Sequence, residues 1–280
     1  MDESQIKLYM SMIGELQWLV TIGRFDIHTA VMTMSRFRAA PRVGHLERLK
    51  RMYGYVKRRQ DAAIRFRTGL PSYDDIDVPE HDWMYTVYGN VKENIPDDTL
   101  EPKGGKVVTT TYIDANLLHD LTTGRAATGI LHFVNGTPIK WFSKRQNTVE
   151  TATYGSEFVA ARVGTDQIID LRTTLCYLGV EVEEASYMFG DNQSVITSST
   201  LPHSALNKRH NALCYHRVRE AVATGIVKFI HMFGESNPAY VLSKHCSHLQ
   251  FWPLIKPILS WRGAPAYNED NNNVERCLGE

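Results

Sequence analysis

The stretch KVVTTTYIDAN, residues 106–116, decides the fold of this chain of 280 residues. Residues 107–111 are five consecutive β-branched side chains, a run that favours an extended strand. The double glycine at 104–105 marks the start of this strand, and we expect the strand to end at Asp114. Burying a carboxylate at that point costs free energy unless a cation or hydrogen-bond donors accompany it. Asp114 is therefore the first candidate site residue.

Strands and helices alternate after this first strand. Residues 128–134 and 138–143 are predicted as two strands, because the Asn-Gly pair at 135–136 is a strong hairpin turn signal. Residues 151–178 carry apolar side chains at helical spacing and predict the longest helix. The remaining predicted elements are a strand over 187–189, helices over 192–199 and 207–224, a strand over 226–233 and a helix from 238. This order predicts an α/β fold.

Pattern and composition divide the chain into four parts. Residues 1–67 are a small helical unit, with helices predicted over 5–22, 26–38 and 45–58. Residues 68–105 form an acidic linker that contains four prolines. Within the linker, residues 83–91 could form a short strand pair around a Gly-Asn turn signal. Residues 106–262 are the α/β domain, and the polar, Asn-rich residues 263–280 are expected to be disordered.

Composition excludes some classes of protein. Lys and Arg together number 31, as do Asp and Glu, so the net charge of zero gives no global electrostatic signal. The four cysteines form no C-x-x-C pair, which favours reduced thiols and an intracellular location. No apolar run approaches the length of a transmembrane helix, so no membrane partner is expected. The N-terminus carries no signal-peptide core.

Two further acids lie where they could meet Asp114. Glu157 falls in the first two turns of the long helix, and Asp191 follows the predicted strand over 187–189. Three carboxylates from separate elements suit Mg²⁺, which prefers hard oxygen ligands. Two such ions about 3.5–4 Å apart can activate a water and stabilise the leaving oxygen of a phosphodiester. Each acid taken alone could instead be a helix cap or a surface charge.

Longer segments resemble a known family. YIDAN, TGILHFVNGTPIKWFSKRQNTVETATYGSEFVAA, FGDNQSVI, KRHNALCYHRVREAV and NPAYVLSKH resemble the ribonuclease H domain of copia-type retrotransposon polyproteins. IKLYMSMIGELQWL, RFDIHTAV, MSRF and HLERLKRMYGYVK resemble the reverse-transcriptase segment that precedes it. The resemblance implies a ribonuclease H-like mixed sheet flanked by helices, preceded by a helical remnant of the reverse transcriptase (thumb- or connection-like).

The same resemblance implies a function. By this resemblance the chain is a Mg²⁺-dependent endonuclease, a hydrolase that cuts the RNA strand of RNA–DNA hybrids. The resemblance also implies that Asp114, Glu157 and Asp191 are the catalytic metal ligands. The polymerase motif with paired aspartates does not occur in this sequence. We therefore expect the C-terminal fragment of a reverse transcriptase, or the remnant of an element.

One position departs from the family pattern. The family has N-P-A-D in its last motif, whereas this chain has Tyr240 in place of the aspartate. A phenol is neutral at pH 7 and is a poor magnesium ligand. Glu235 is the nearest acid in sequence. We expect impaired cleavage, better supported by Mn²⁺ than by Mg²⁺; the alternative is a catalytically inactive nucleic-acid-binding remnant.

Basic residues provide candidate contacts to the hybrid. Lys144 and Arg145 precede the long helix, and Lys208 and Arg209 open a later one. Their charges could hold phosphates, in which case binding would weaken with salt. A solvated loop or helix face is the alternative for both pairs.

Overall fold

The computed structural model describes residues 1–95, 99–206 and 208–260. The predicted disordered tail at 263–280 and Asn207, the first residue of a predicted helix, lie outside the described residues. In the described ranges, none of the helices combines the length and apolar character needed to cross a bilayer.

Three helices and a short strand form the N-terminal part. They are α1 (Glu3–Thr21), α2 (His28–Ser35), α3 (Val43–Arg58) and β1 (Ala63–Ile64). The Asp2 carboxylate accepts a hydrogen bond from the Gln5 backbone N–H, and the Gln5 side chain caps Asp2 in return, which fixes the start of α1. The three predicted helices are present. The second is shorter than predicted because a 3-10 turn, Phe25–Ile27, precedes it.

The linker packs against the α/β domain. The Tyr73 ring lies 4.4 Å from the Tyr187 ring, measured between centroids, and Glu93 forms an ion pair with Arg172 at 2.5 Å. Trp83 is buried. The strand pair suggested for residues 83–91 is wrong, since this segment consists of turns. The linker obtains its order from these side-chain contacts with the domain.

A five-stranded mixed sheet forms the α/β domain. Its strands are β2 (Thr109–Asp120), β3 (Arg125–Val134), β4 (Thr137–Arg145), β5 (Ser186–Gly190) and β6 (Val227–His231). The order across the sheet is β4-β3-β2-β5-β6. The strand β3 is antiparallel to both neighbours, whereas β5 is parallel to β2 and to β6. Asn135, with φ 53°, makes the tight hairpin turn that was predicted between β3 and β4.

The sequence predicted that strand β2 ends at Asp114, and this prediction is wrong. The strand continues to Asp120, and it pairs with β3 as far as Asn116 and again, after a register shift, at Asp120. Residues 115–120, which were expected to lie beyond the strand, therefore belong to it. Pairing with β5, in contrast, stops at Tyr112 opposite Phe189. Asp114 thus lies just beyond the point where β2 loses its parallel neighbour.

Helices cover the sheet. They are α4 (Thr153–Tyr177), α5 (Gln193–Thr200), α6 (Ala212–Ala223), α7 (Tyr240–Ser243) and α8 (His248–Ile255). The last strand, β7 (Leu259–Ser260), pairs antiparallel with β1. Helix α4 approaches β2 closely at Gly164, where an added Cβ would lie 2.8 Å from Ile113 Cγ2. Ile113 and Phe158 share one apolar core, so this contact fixes α4 on the sheet.

Helices α1 and α2 of the N-terminal part pack against β4 and α7 of the α/β domain. The Thr29 hydroxyl of α2 donates a hydrogen bond to the Val241 carbonyl of α7 at 2.6 Å. The Trp141 indole of β4 donates to the Val20 carbonyl of α1 at 2.8 Å. Because these bonds cross the boundary at residue 67, the helical unit supports the segment that contains α7. The division into four domains stays a prediction.

Candidate active site

The three predicted acids converge. Asp114, Glu157 and Asp191 each offer one carboxylate oxygen, and these oxygens lie within 4.8 Å of one another. Asp114 and Glu157 are buried, and Asp191 is partly exposed. No fourth acid, histidine or cysteine belongs to this group among the described residues, and Glu235 is therefore not part of it.

Sheet register explains the convergence. The last paired residues of β2 and β5 are Tyr112 and Phe189. Asp114 lies two residues after Tyr112 on β2, and Asp191 lies two residues after Phe189, just beyond the end of β5. The parallel register therefore leaves the two acids side by side where the strands separate. Glu157 reaches them from α4, and its Oε1 accepts a hydrogen bond from the Ala115 N–H at 3.3 Å. Three elements therefore contribute one carboxylate each.

Helix α7 and the residue that follows it add two more groups to the cluster. The Asn237 side chain donates to the Ile113 carbonyl at 2.7 Å and accepts from the Ala239 N–H at 3.0 Å, which pins the turn before α7 to β2. The Ser243 hydroxyl donates a hydrogen bond to Asp114 Oδ2. The Lys244 ammonium forms an ion pair with Asp114 Oδ1 at 2.8 Å. Neither Ser243 nor Lys244 was assigned a role from the sequence.

Burial and crowding dominate the electrostatics of the cluster. Burial raises the pKa of Asp114 to about 6, although Lys244 and Ser243 act to lower it. Burial, and then the neighbouring carboxylates, raise the pKa of Glu157 well above its ordinary value. Burial alone would lower the pKa of Lys244, but its carboxylate neighbours outweigh this effect and raise it. The site therefore favours a cation among its carboxylates.

Tyr240 does not replace the missing aspartate as a ligand. Its ring packs against the apolar cluster that includes Val241 and Leu242. The Lys244 Nζ lies 4.4 Å from the centroid of the Tyr240 ring, a cation–π distance. The position that the family fills with an acid therefore contacts a cation in this chain.

The cluster opens onto a pocket of about 390 Å³. Its lining residues are Ala115, Asn116, Leu117, Thr153, Glu157, Asp191, Asn192 and Lys244. The donor set of carboxylate oxygens fits Mg²⁺ or Mn²⁺, and the pocket gives such an ion access from solvent. The Lys244 ammonium on Asp114 opposes the binding of a divalent ion.

The predicted basic contacts separate into two groups. Lys144 is exposed, but it lies on β4 rather than in a loop, and Arg145 forms an ion pair with the buried Asp120 at 2.6 Å. The Lys208 Nζ lies 3.4 Å from Thr151 Oγ1, just before α4. Arg209 is exposed in a 3-10 turn. Arg145 is thus committed to a structural ion pair, whereas Lys208 and Arg209 lie near the helix that carries Glu157.

Similarity to known sequences agrees with this geometry. The chain is 27% identical over 236 residues to the retrovirus-related Pol polyprotein from transposon TNT 1-94 of Nicotiana tabacum, and 23% identical over 258 residues to that from transposon RE1 of Arabidopsis thaliana. Its homologues are copia-type retrotransposon Pol polyproteins. The alignments cover 84% and 92% of this chain but only 15% of each Pol polyprotein. No family model matches the chain.

Solved structures that align with part of this chain include ribonucleases H. RNase H1 from Halobacterium salinarum NRC-1 aligns with a TM-score of 0.38 and 16% identity, covering 50% of this chain and 95% of that one. LC11-RNase H1 in complex with an RNA/DNA hybrid aligns with a TM-score of 0.37 and 13% identity, covering 46% and 88%. The fold class follows from the sheet itself. The predicted α/β fold, a mixed sheet flanked by helices, is confirmed.

Proposed function

We propose that residues 106–260 act as a ribonuclease H on RNA–DNA hybrids and hydrolyse the RNA strand with Mg²⁺, or with Mn²⁺. The convergence of Asp114, Glu157 and Asp191 at the open pocket carries this proposal. The homology to Pol polyproteins supports it, because the chain aligns with them over most of its own length. An intracellular location is part of the proposal; the three described cysteines form no disulfide, in keeping with it.

The three acids would hold the metal. When bound, the metal would supply a polarised water and a Lewis acid for the phosphodiester. Asp114 is fixed for this role by Ser243 and Glu157 by the Ala115 N–H. Lys208 and Arg209, next to the start of α4, would hold phosphates of the hybrid by charge.

A second candidate function is binding of nucleic acid without cleavage. The observation that favours it is the pair formed by Lys244 and Asp114, because a cation of the chain itself already occupies one ligand oxygen. Tyr240 also removes one negative charge relative to the family pattern. A domain with these two features could keep its fold and bind the hybrid without cleaving it.

Cleavage of a labelled RNA–DNA hybrid distinguishes the two functions. The chain is incubated with Mg²⁺ or Mn²⁺ beside its Asp114→Asn variant, and binding of the same hybrid is measured in parallel. We expect weak cleavage that Asp114→Asn abolishes while binding persists. Binding without cleavage in either metal would establish the second function. The absence of both would refute both functions.

A further inference from the structure

The acidic cluster contains a cation supplied by the chain itself. The Lys244 Nζ lies 2.8 Å from Asp114 Oδ1, and Asp114 is 0% exposed. A contact of this kind between a buried carboxylate and an ammonium is a charge-assisted hydrogen bond, one of the stronger polar contacts in proteins. The second oxygen of Asp114 accepts from the Ser243 hydroxyl. Both oxygens of Asp114 therefore already have partners.

Tyr240 holds the lysine in this position. The Lys244 ammonium lies over the face of the Tyr240 ring at 4.4 Å, and the Lys244 backbone N–H donates to the Tyr240 carbonyl at 3.0 Å. The two residues are four positions apart on one helical turn, a spacing that brings side chains into contact. An aspartate at 240 would have offered a ligand oxygen; the tyrosine offers a surface for the ammonium instead.

The charge of the cluster favours such a cation. Three carboxylates whose oxygens lie within 4.8 Å of one another repel strongly when two of them are buried. A divalent ion that used Asp114 Oδ1 would have to take the oxygen that Lys244 now contacts. An ammonium and a divalent ion that both contact one oxygen repel each other, so metal binding and the Lys244 contact compete at this oxygen.

We propose that Lys244 is the built-in counter-ion of the acidic cluster, and that a divalent ion binds Asp114 only by displacing it. This deepens the proposed function and rests on its metal site. The consequences are a cluster that is stable without metal and a divalent-ion affinity that is reduced by competition. Lys244 is a positioning residue that acts through Asp114.

The test compares Lys244→Met and Lys244→Arg with Lys228→Met in the full chain. Lys228 is a matched control, because its ammonium pairs with Glu184 at 2.8 Å and lies 5.5 Å from the centroid of the Tyr187 ring, away from the acids. Mn²⁺ affinity is measured from the electron paramagnetic resonance signal of the free ion. Urea unfolding is measured in EDTA and in Mn²⁺.

We expect Lys244→Met to bind Mn²⁺ at least about tenfold more tightly than the unmodified chain, since no ammonium has to be displaced. Lys244→Arg and Lys228→Met should bind as the unmodified chain does. In EDTA, Lys244→Met should unfold at lower urea concentration, and Mn²⁺ should restore its stability. If Lys244→Met does not fold in EDTA, adding Asp114→Asn should restore folding, because it removes the unpaired charge.

Each other outcome refutes a defined statement. Equal or weaker Mn²⁺ binding by Lys244→Met, with binding by the unmodified chain, overturns the counter-ion role and leaves the proposed function standing. A double variant no more stable than an unfolded Lys244→Met overturns it as well. The absence of Mn²⁺ binding in the unmodified chain and in Lys244→Met overturns the metal site, and with it the inference.

Discussion

At Gly129, one added methyl group should move helix α7, which carries Ser243, away from the strand that carries Asp114. Gly129 lies on β3 directly opposite Asp114, and helix α7 passes over it. A Cβ added at Gly129 would lie 2.6 Å from the Ala239 carbonyl oxygen and 2.8 Å from the Ser243 backbone nitrogen. All these neighbours are backbone atoms, which cannot rotate away. Gly129→Ala should therefore push helix α7, with Ser243 and the following Lys244, away from the sheet.

The cost follows from the size of that displacement. Restoring ordinary contact with the Ala239 oxygen requires a movement of about 0.8 Å. Overpacking of a tight interior costs about 1–3 kcal/mol, and the entropy that alanine removes from the unfolded chain returns about 0.4–1 kcal/mol. The mid-points of these ranges leave a loss of stability of about 1.3 kcal/mol, or about 3–5 °C in Tm for a chain of this size.

Urea and thermal unfolding of Gly129→Ala beside Gly54→Ala provide the assay. Gly54 is an exposed position of α3 with nothing within 4 Å of an added Cβ. There, alanine should stabilise the chain by about 0.5–1 kcal/mol, because glycine is unfavourable inside a helix. The two variants should thus shift stability in opposite directions. A Gly129→Ala variant as stable as the unmodified chain would show that α7 does not rest on β3 as described.

Three further predictions concern activity, binding and pH. Tyr240→Asp should raise hybrid cleavage, most clearly with Mg²⁺, and unchanged turnover would show that the missing acid is not the defect. Hybrid binding should weaken steeply with salt, and Arg209→Glu should weaken it with little dependence on sequence; affinity that ignores both salt and this charge reversal would argue against phosphate contacts. Burial lowers the pKa of His132 to about 4, so the unfolded chain binds the proton first as the pH falls. The free energy of unfolding should therefore fall by about 3 kcal/mol as the pH is lowered from 6.5 to 4. Urea unfolding measured at several pH values should show a smaller fall for His132→Gln.

The sequence alone determined the elements that carry the site. The β-branched run at 107–111, the Asn-Gly turn at 135–136 and the apolar stripe of α4 are local signals, because propensity and periodicity act within one element. These signals place Asp114, Glu157 and Asp191 on three elements in the right order. The convergence of Asp114 and Asp191 was also predictable, since acids after neighbouring parallel strands meet at one edge of a sheet.

Only the tertiary structure decided where strand pairing stops. The strand β2 continues six residues beyond Asp114, because β3 still pairs with it after β5 has ended. No property of residues 115–120 taken alone predicts this. The conformation of the linker was also decided by tertiary contacts. Tyr73 and Trp83 hold its turns against parts of the α/β domain that are distant in sequence.

The charge partners of the site were also beyond the sequence. Lys244 and Asp114 are 130 residues apart, and Arg145 and Asp120 are 25 apart. A salt bridge depends on the distance between two atoms, and folding sets this distance through register, turn geometry and helix packing together. The sequence shows that Tyr240 is not an acid. Only the fold shows that its ring holds a lysine against the carboxylate the metal would need.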